Sequence, residues 1–524
     1  MQKNKLRVGF MAMIFMFTGL MGGCGSRQAE QGLTEVMSEQ EENENGLVTV
    51  TIASNTNQLK SLDKFNNTGA GVDDTGYLWG DPLIANDHKG NYEPALAVKW
   101  EMREDGLVCI FQLRENVKFH NGAILTAADV KATYERLING KLQHTNSWNS
   151  LERVDTSDEK TVTFYFSTPM PTFYDEVGFV PIINAKAYEK DPKNYFQKPI
   201  GTGAYYVESF DQETGKGKFR RNQDWWGTNS GNVDEIIYTF IADDTKRATA
   251  LKNGKADVVN MLSVEYQNLL KDTYKVNEIH TDTCVNLGFC CTGRKVFADK
   301  NLRQALSMSI DRQMLCDNIA GSGAVLNWPV GENTLGYIDS SSYVYDMEQA
   351  RALVKNSDYD GREIILIYTN EGFQKAEEIA MAVQTRAKEI GLNMVVEPLK
   401  NAEFLKRRAE GEYDVTLGAF AATCGDPQTE VAVIIADDIF GTGYQNADME
   451  QLCEKVKLTM DRTERENVLK DIFKIEMEEL APFVYLYSPN NIVASQNYIS
   501  NITFYNDYSA DYRFMVKETS YEDS

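Results

Sequence analysis

The chain has 524 residues, 42% of them hydrophobic, with 12 prolines and a formal net charge of -24. That length exceeds the ~50–250 residues that one domain usually holds, so two or three compact units are expected. The composition is that of a globular body, and the acidity excludes DNA, RNA and anionic lipid as partners by charge repulsion.

Lys3, Lys5 and Arg7 precede an uncharged run over 8–20, followed by Met21-Gly22-Gly23-Cys24. A basic start, an apolar middle and small residues before a cysteine are the parts of a secretory signal. The run is shorter than the ~20 residues a spanning helix requires, which sets the transmembrane alternative aside. With Cys24 set apart, the eight cysteines leave an odd number, Cys290 and Cys291 are adjacent, and no C-x-x-C occurs. A disulfide framework is therefore not expected, and the remaining cysteines read as small buried hydrophobes.

Residues 24–46 are polar and acidic, too poor in apolar side chains to fold, and read as a tether. The alternating stretch 48–53 (VTVTIA) reads as the first strand, followed by a polar loop over 55–74 that contains Phe65. Residues 107–113 form an apolar run bounded by the turn residues Asp105-Gly106 and Glu115-Asn116, which predicts another strand. Beyond the turn at Asn121-Gly122, Thr126 and Asp129 make a capping box ahead of Val130, Tyr134, Leu137 and Ile138, predicting a helix. Residues 161–166 place Val162, Phe164 and Phe166 on one face of a half-buried strand.

Residues 199–207 (PIGTGAYYV) hold a G-x-G, but nothing completes a phosphate loop and no Gly-Lys-Ser/Thr occurs, so they read as a turn. The pair Trp225-Trp226 can serve as a ligand-stacking platform or as packing area, the commoner use of such rings. Residues 284–291 form an apolar run ahead of a helix marked by Leu302, Ala305, Leu306 and Ile310. Between 364 and 397 lies a βαβ pattern: a strand over 364–369, a stripe of Ala376, Ile379, Ala380, Val383, Ala387 and Ile390, Gly391 where a left-handed cap belongs, and a returning strand. Such a unit implies parallel strands in an α/β layer.

Several segments carry a resemblance. Pro82-Leu83, Pro94 with Leu96-Ala97, Trp100-Glu101, Asp105-Gly106-Leu107, Phe111 with Leu113-Arg114, the run Val117 to Gly122, and Leu125-Thr126-Ala127 with Asp129-Val130 stand in an order similar to that of family-five extracytoplasmic solute-binding proteins, the peptide and nickel receptors of ABC importers. Residues 199–207, 221–227, 297–315 and 412–427 resemble further segments of that family. The resemblance implies an α/β, two-lobed periplasmic-binding-protein-like fold of the cluster C type, with an extra subdomain in the N-terminal lobe and two inter-lobe crossings. Lobe I would comprise 47–75, 196–283 and 489–524, the extra subdomain 76–195, and lobe II 290–482, with hinges near 284–290 and 482–488.

It also implies a receptor without catalysis, cofactor or metal, acting as a monomer with the permease and ATPase subunits of an ABC transporter. Candidate ligand contacts are Phe65, Asn286, Phe289, Trp328, Phe420, Thr423 and Asp426. Gly22-Gly23-Cys24 resembles a lipobox with Met21 at the usual leucine position, which implies a lipid anchor on Cys24 outside the cell membrane. The competing class is an exported hydrolase. His88, His120, His144 and His280 show no H-x-x-x-H spacing, and no G-x-S-x-G elbow appears.

Peptides are the leading ligand, with nickel chelate and small saccharides as alternatives. Nickel receptors of the family carry a His where Gln428 stands. Peptide receptors usually carry a Trp at the position of Phe420 and an ammonium-binding Asp at that of Thr423. Either Asp426 or another carboxylate replaces that Asp, or the ligand lacks a free amino terminus.

Overall fold

The computed structural model describes residues 46–55, 61–66, 75–87, 90–140, 142, 148–228, 231–292, 296–339, 343–370, 373–421, 425–428 and 430–518. The signal segment, Cys24, nearly all of the tether and Thr423 lie outside these residues.

The first alternating stretch forms the strand Thr49–Ser54 within a seven-stranded sheet. Across that sheet the order is Lys275–His280, Asn490–Ser495, Val258–Leu262, Thr49–Ser54, Glu235–Phe240, Lys216–Arg221 and Tyr205–Asp211. Thr49–Ser54 is parallel to both of its neighbours, which are joined to each other through the helix Asp244–Lys252. Parallel neighbours require such a crossover, because a tight turn can only reverse the chain.

A four-stranded antiparallel sheet follows in the order Ala97–Met102, Val108–Leu113, Thr161–Phe166 and Leu151–Thr156. The capping box opens the helix Ala127–Asn139, with the Asp129 carboxylate accepting from the Thr126 N–H at 2.9 Å. The same carboxylate accepts from the Ala185 N–H at 2.9 Å, tying the helix start to a later segment. Beneath this sheet Phe111, Tyr134, Phe164 and Phe173 pack edge to face, with Tyr134 and Phe164 ring centroids 4.8 Å apart.

The third sheet has six strands in the order Ala324–Val325, Phe483–Ser488, Thr283–Phe289, Val415–Ala421, Ile364–Tyr368 and Met394–Pro398. The βαβ unit is present as Ile364–Tyr368, the helix Ala376–Glu389 and the parallel return Met394–Pro398. Gly391 takes φ +94°, the left-handed conformation expected of it.

The chain leaves the seven-stranded sheet after His280, enters the six-stranded one at Thr283, and returns between Ser488 and Asn490. The stretches read from sequence as hinges are strand interiors: Thr283–Phe289 and Phe483–Ser488 are wholly buried and paired with each other, Asn286 opposite Tyr485. The links between the sheets are therefore Thr281-Asp282 and Pro489, one or two residues outside those runs. Among the described residues six cysteines stand outside any disulfide, five of them buried. No helix there is long and apolar enough to cross a membrane.

Candidate ligand cleft

Strand register shows which sheet edges meet at the links. In the seven-stranded sheet, His280 lies opposite Asn490, Leu262 opposite Ile492 and Ser54 beside Phe240. The carboxyl ends of its three parallel strands thus share the edge by which the chain departs. In the six-stranded sheet, Ala421 lies opposite Thr283, and the parallel strands of the βαβ unit end on that same edge. Two carboxyl edges therefore meet across the links. The crevice outside such strand ends is where open α/β sheets bind ligands.

The links are tied to one another. Thr281 Oγ1 donates to the Pro489 carbonyl at 2.7 Å, and Ser488 Oγ donates to the Thr281 carbonyl at 2.5 Å. The Asp282 N–H donates to the Asn506 carbonyl at 3.1 Å, and the Asn506 amide donates back to the Asp282 carboxylate. Burial, reinforced by the charge of Asp507, pushes Asp282 up to about 7.

On the six-stranded side, Phe420 packs edge-on against Phe483 and Tyr485, at 5.4 and 6.1 Å between centroids. Past residues 422–424, Asp426 is buried and held by Arg465 through two hydrogen bonds of 2.8 Å, while Arg465 also donates to Gln428 Oε1 at 2.5 Å. Farther along, Glu430 and Glu476 converge on the Tyr485 hydroxyl at 2.5 and 2.9 Å. Burial pushes both carboxyls up, and for Glu476 the Glu430 charge adds to the effect.

On the opposite side, Asp175 in the helix Phe173–Val177 accepts from the Tyr92 hydroxyl at 2.7 Å and from Asn86 Nδ2 at 3.1 Å. Burial is the main cause that pushes it up to about 7; Asp426 acts in the same direction and Arg462 against it. Both of those residues belong to the six-stranded side, so Asp175 senses charge from the other lobe. A direct contact between the lobes is the ion pair of Glu265 with Lys375.

The residues expected from sequence fall into several places. Phe420 lies in the last pairs before the carboxyl edge, opposite Cys284, and Asp426 is buried against Arg465. Trp328, whose Nε1 donates to the Gly336 carbonyl at 2.9 Å, lines a cavity of about 210 Å3 together with His280. Asn286 is buried within its strand, its amide donating to the Cys284 carbonyl at 3.0 Å. Phe289 is in the core beneath the six-stranded sheet, 4.8 Å from Phe297, and Phe65 is in the aromatic core beneath the four-stranded one. Sequence reasoning did not single out Asp175, Asp282, Glu430, Glu476 or Arg465. Their partners are remote in the chain, and no local spacing marks them.

Residues 91–436 match the family described as bacterial extracellular solute-binding proteins, family 5 Middle, and the chain belongs to that family. It is thus a two-lobed extracytoplasmic binding protein. The chain is 25% identical over 427 residues to the probable D,D-dipeptide-binding periplasmic protein DdpA of Escherichia coli K12, covering 79% of this chain and 82% of that protein. It is 23% identical over 533 residues to the oligopeptide-binding protein AppA of Bacillus subtilis, covering 94% and 95%. NikA from Brucella suis, solved in complex with Fe(III)-EDTA, superposes with a TM-score of 0.80 at 19% identity, over 90% of this chain and all of NikA, a likeness of fold.

Proposed function

We propose that this protein captures peptides between its two lobes and hands them to the permease of an ABC importer, as a monomer held outside the cell membrane by a lipid on Cys24. The observation that carries this reading is the meeting of two carboxyl sheet edges across two short links. An extended peptide brings a row of unpaired backbone donors and acceptors, which strand ends can satisfy without reading side chains. The names of DdpA and AppA support peptides over other solutes. Gln428, tied to Arg465 in place of a free histidine, weighs against a nickel chelate.

Purification from the native host followed by mass spectrometry of the released ligand tests the ligand class. Peptides at about one per protein are the expected result; a metal chelate or a saccharide in their place would overturn it. Turnover of a bound peptide would return the hydrolase alternative. For the anchor, Cys24→Ala is expected to release the protein from the membrane fraction, since stable anchoring needs acyl chains to be present.

A further inference from the structure

Tyr77, Trp225, Trp226, Tyr505 and Phe514 are all half-buried, and all line one cavity of about 450 Å3 between the seven-stranded and four-stranded bodies. Large rings normally contribute most by being covered, so five of them around one hollow call for an occupant that covers them. The volume far exceeds the ~30 Å3 share of one water and falls within the ~300–1,000 Å3 of small-ligand sites.

The walls are held in place by charge. Asp81 is wholly buried, and its Oδ2 accepts from Trp226 Nε1 at 2.7 Å, Thr202 Oγ1 at 2.9 Å and Trp225 Nε1 at 3.3 Å. Its Oδ1 accepts from Arg513 Nη1 at 3.4 Å. Arg513 grips Asp511 through two more hydrogen bonds, of 2.9 and 2.7 Å, and its guanidinium sits 5.4 Å from the Phe514 ring centre. Both indoles are thereby fixed in orientation. The carboxylate of Asp81 is wholly buried and the guanidinium is charge-compensated by Asp81 and Asp511, so the chamber carries no uncompensated charge and offers mainly ring faces.

The chamber also adjoins the cleft. Asn86 lines it and donates to Asp175, which feels Asp426 and Arg462 of the other lobe. Tyr505 lines it and precedes Asn506, which holds Asp282 at the first link. We propose that this chamber takes an uncharged aromatic ring, supplied by a side chain of the captured peptide. This rests on the peptide reading above.

Fluorine NMR with 5-fluoroindole and calorimetry with tripeptides carrying Phe or Ala at each position test it, on the full chain and on two variants. Ala85→Phe fills the chamber from a lining position, and Tyr505→Leu removes one ring face. The wild type is expected to broaden the 5-fluoroindole signal and to bind at least one Phe tripeptide about tenfold more tightly than Ala-Ala-Ala, a step typical of one well-covered ring. Both effects should be lost in Ala85→Phe and reduced in Tyr505→Leu, with Ala-Ala-Ala binding kept. If peptides bind without ring preference and Ala85→Phe changes nothing, the chamber proposal is overturned while the peptide reading stands. If 5-fluoroindole binds and no peptide does, the ring comes from a free solute and the peptide source is overturned.

Discussion

Arg465 holds both carboxylate oxygens of Asp426 at 2.8 Å, with the two side chains almost completely shielded from water. The pair anchors residues 425–428, which come after the strand Val415–Ala421 that carries Phe420. Arg465 also reaches Gln428 and the Val456 carbonyl, so one guanidinium joins the segment to two helices. Removing one partner of a buried pair leaves the other charge uncompensated, at a cost of about 3–5 kcal/mol. Arg465→Ala is therefore expected to lower the unfolding free energy in urea by about 3 kcal/mol and to weaken ligand binding. A loss below about 1 kcal/mol, the scale of an exposed pair, would count against this role.

Tyr485 poses a proton-counting problem. A phenol has one proton to donate, yet its oxygen lies 2.5 Å from Glu430 and 2.9 Å from Glu476. One contact must be donated by a carboxylic acid, so the folded protein keeps a proton on this cluster. Both glutamates are raised by burial above their ordinary 4.5. The unfolded chain releases that proton near the ordinary value, so its contribution to stability is fully present below about 4.5 and is lost as pH rises through the raised values. Urea midpoints of the wild type are expected to fall between pH 5 and pH 8. Glu430→Gln, which supplies a neutral donor, should flatten that fall, and an equally steep fall in the variant would show that the proton resides elsewhere.

The fold was legible wherever a pattern is local. The alternation over 161–166, the capping box at Thr126 and Asp129, and the βαβ unit closed by Gly391 all stand as expected. The links were misplaced for a physical reason. Thr283–Phe289 and Phe483–Ser488 are buried on both faces, so their unbroken apolar runs mark strands but not the residue at which pairing stops. The acids around the cleft were illegible because Asp426 and Arg465, or Asp175 and Tyr92, meet only through tertiary packing. Trp225 and Trp226 had two readings from sequence, packing or platform. Each ring packs against a core and also lines the aromatic chamber.

Lobe closure has its own marker in the ion pair of Glu265 and Lys375, one residue from each side of the links. Glu265 is about half exposed, so the pair contributes at most ~0.2–1 kcal/mol and is screened by salt. Lys375→Ala is expected to raise the ligand Kd by up to about fivefold at low salt and by almost nothing at high salt. Rotation about Thr281-Asp282 and Pro489 should also reduce the radius of gyration in X-ray scattering when ligand is added. An unchanged radius at saturation would rule out closure as the capture step.

A peptide ammonium enclosed between lobes needs an anion, because an unpaired buried charge is strongly unfavourable. Thr423 carries none, and both oxygens of Asp426 already serve Arg465. At the lobe contact of Glu265 the carboxylate is already paired with Lys375, while Asp175, which senses the other lobe's charges, and Asp282, at the first link, are raised to about 7 by burial, so near neutrality each holds a proton part of the time. An ammonium seated against either would have to expel that proton. Free tripeptides are therefore expected to bind no more tightly than their N-acetylated counterparts at pH 6, and to gain on them as pH rises through 7. Calorimetry of matched pairs in buffers of different ionisation enthalpy reads both the affinity and the proton released. Should free peptides win by tenfold or more at pH 6 with no proton release, an ionised carboxylate must already face the ligand, and the preference for blocked or neutral ligands fails. Thr423→Asp should then add little, whereas in a cleft without an ionised partner for the ammonium it should favour the free peptides.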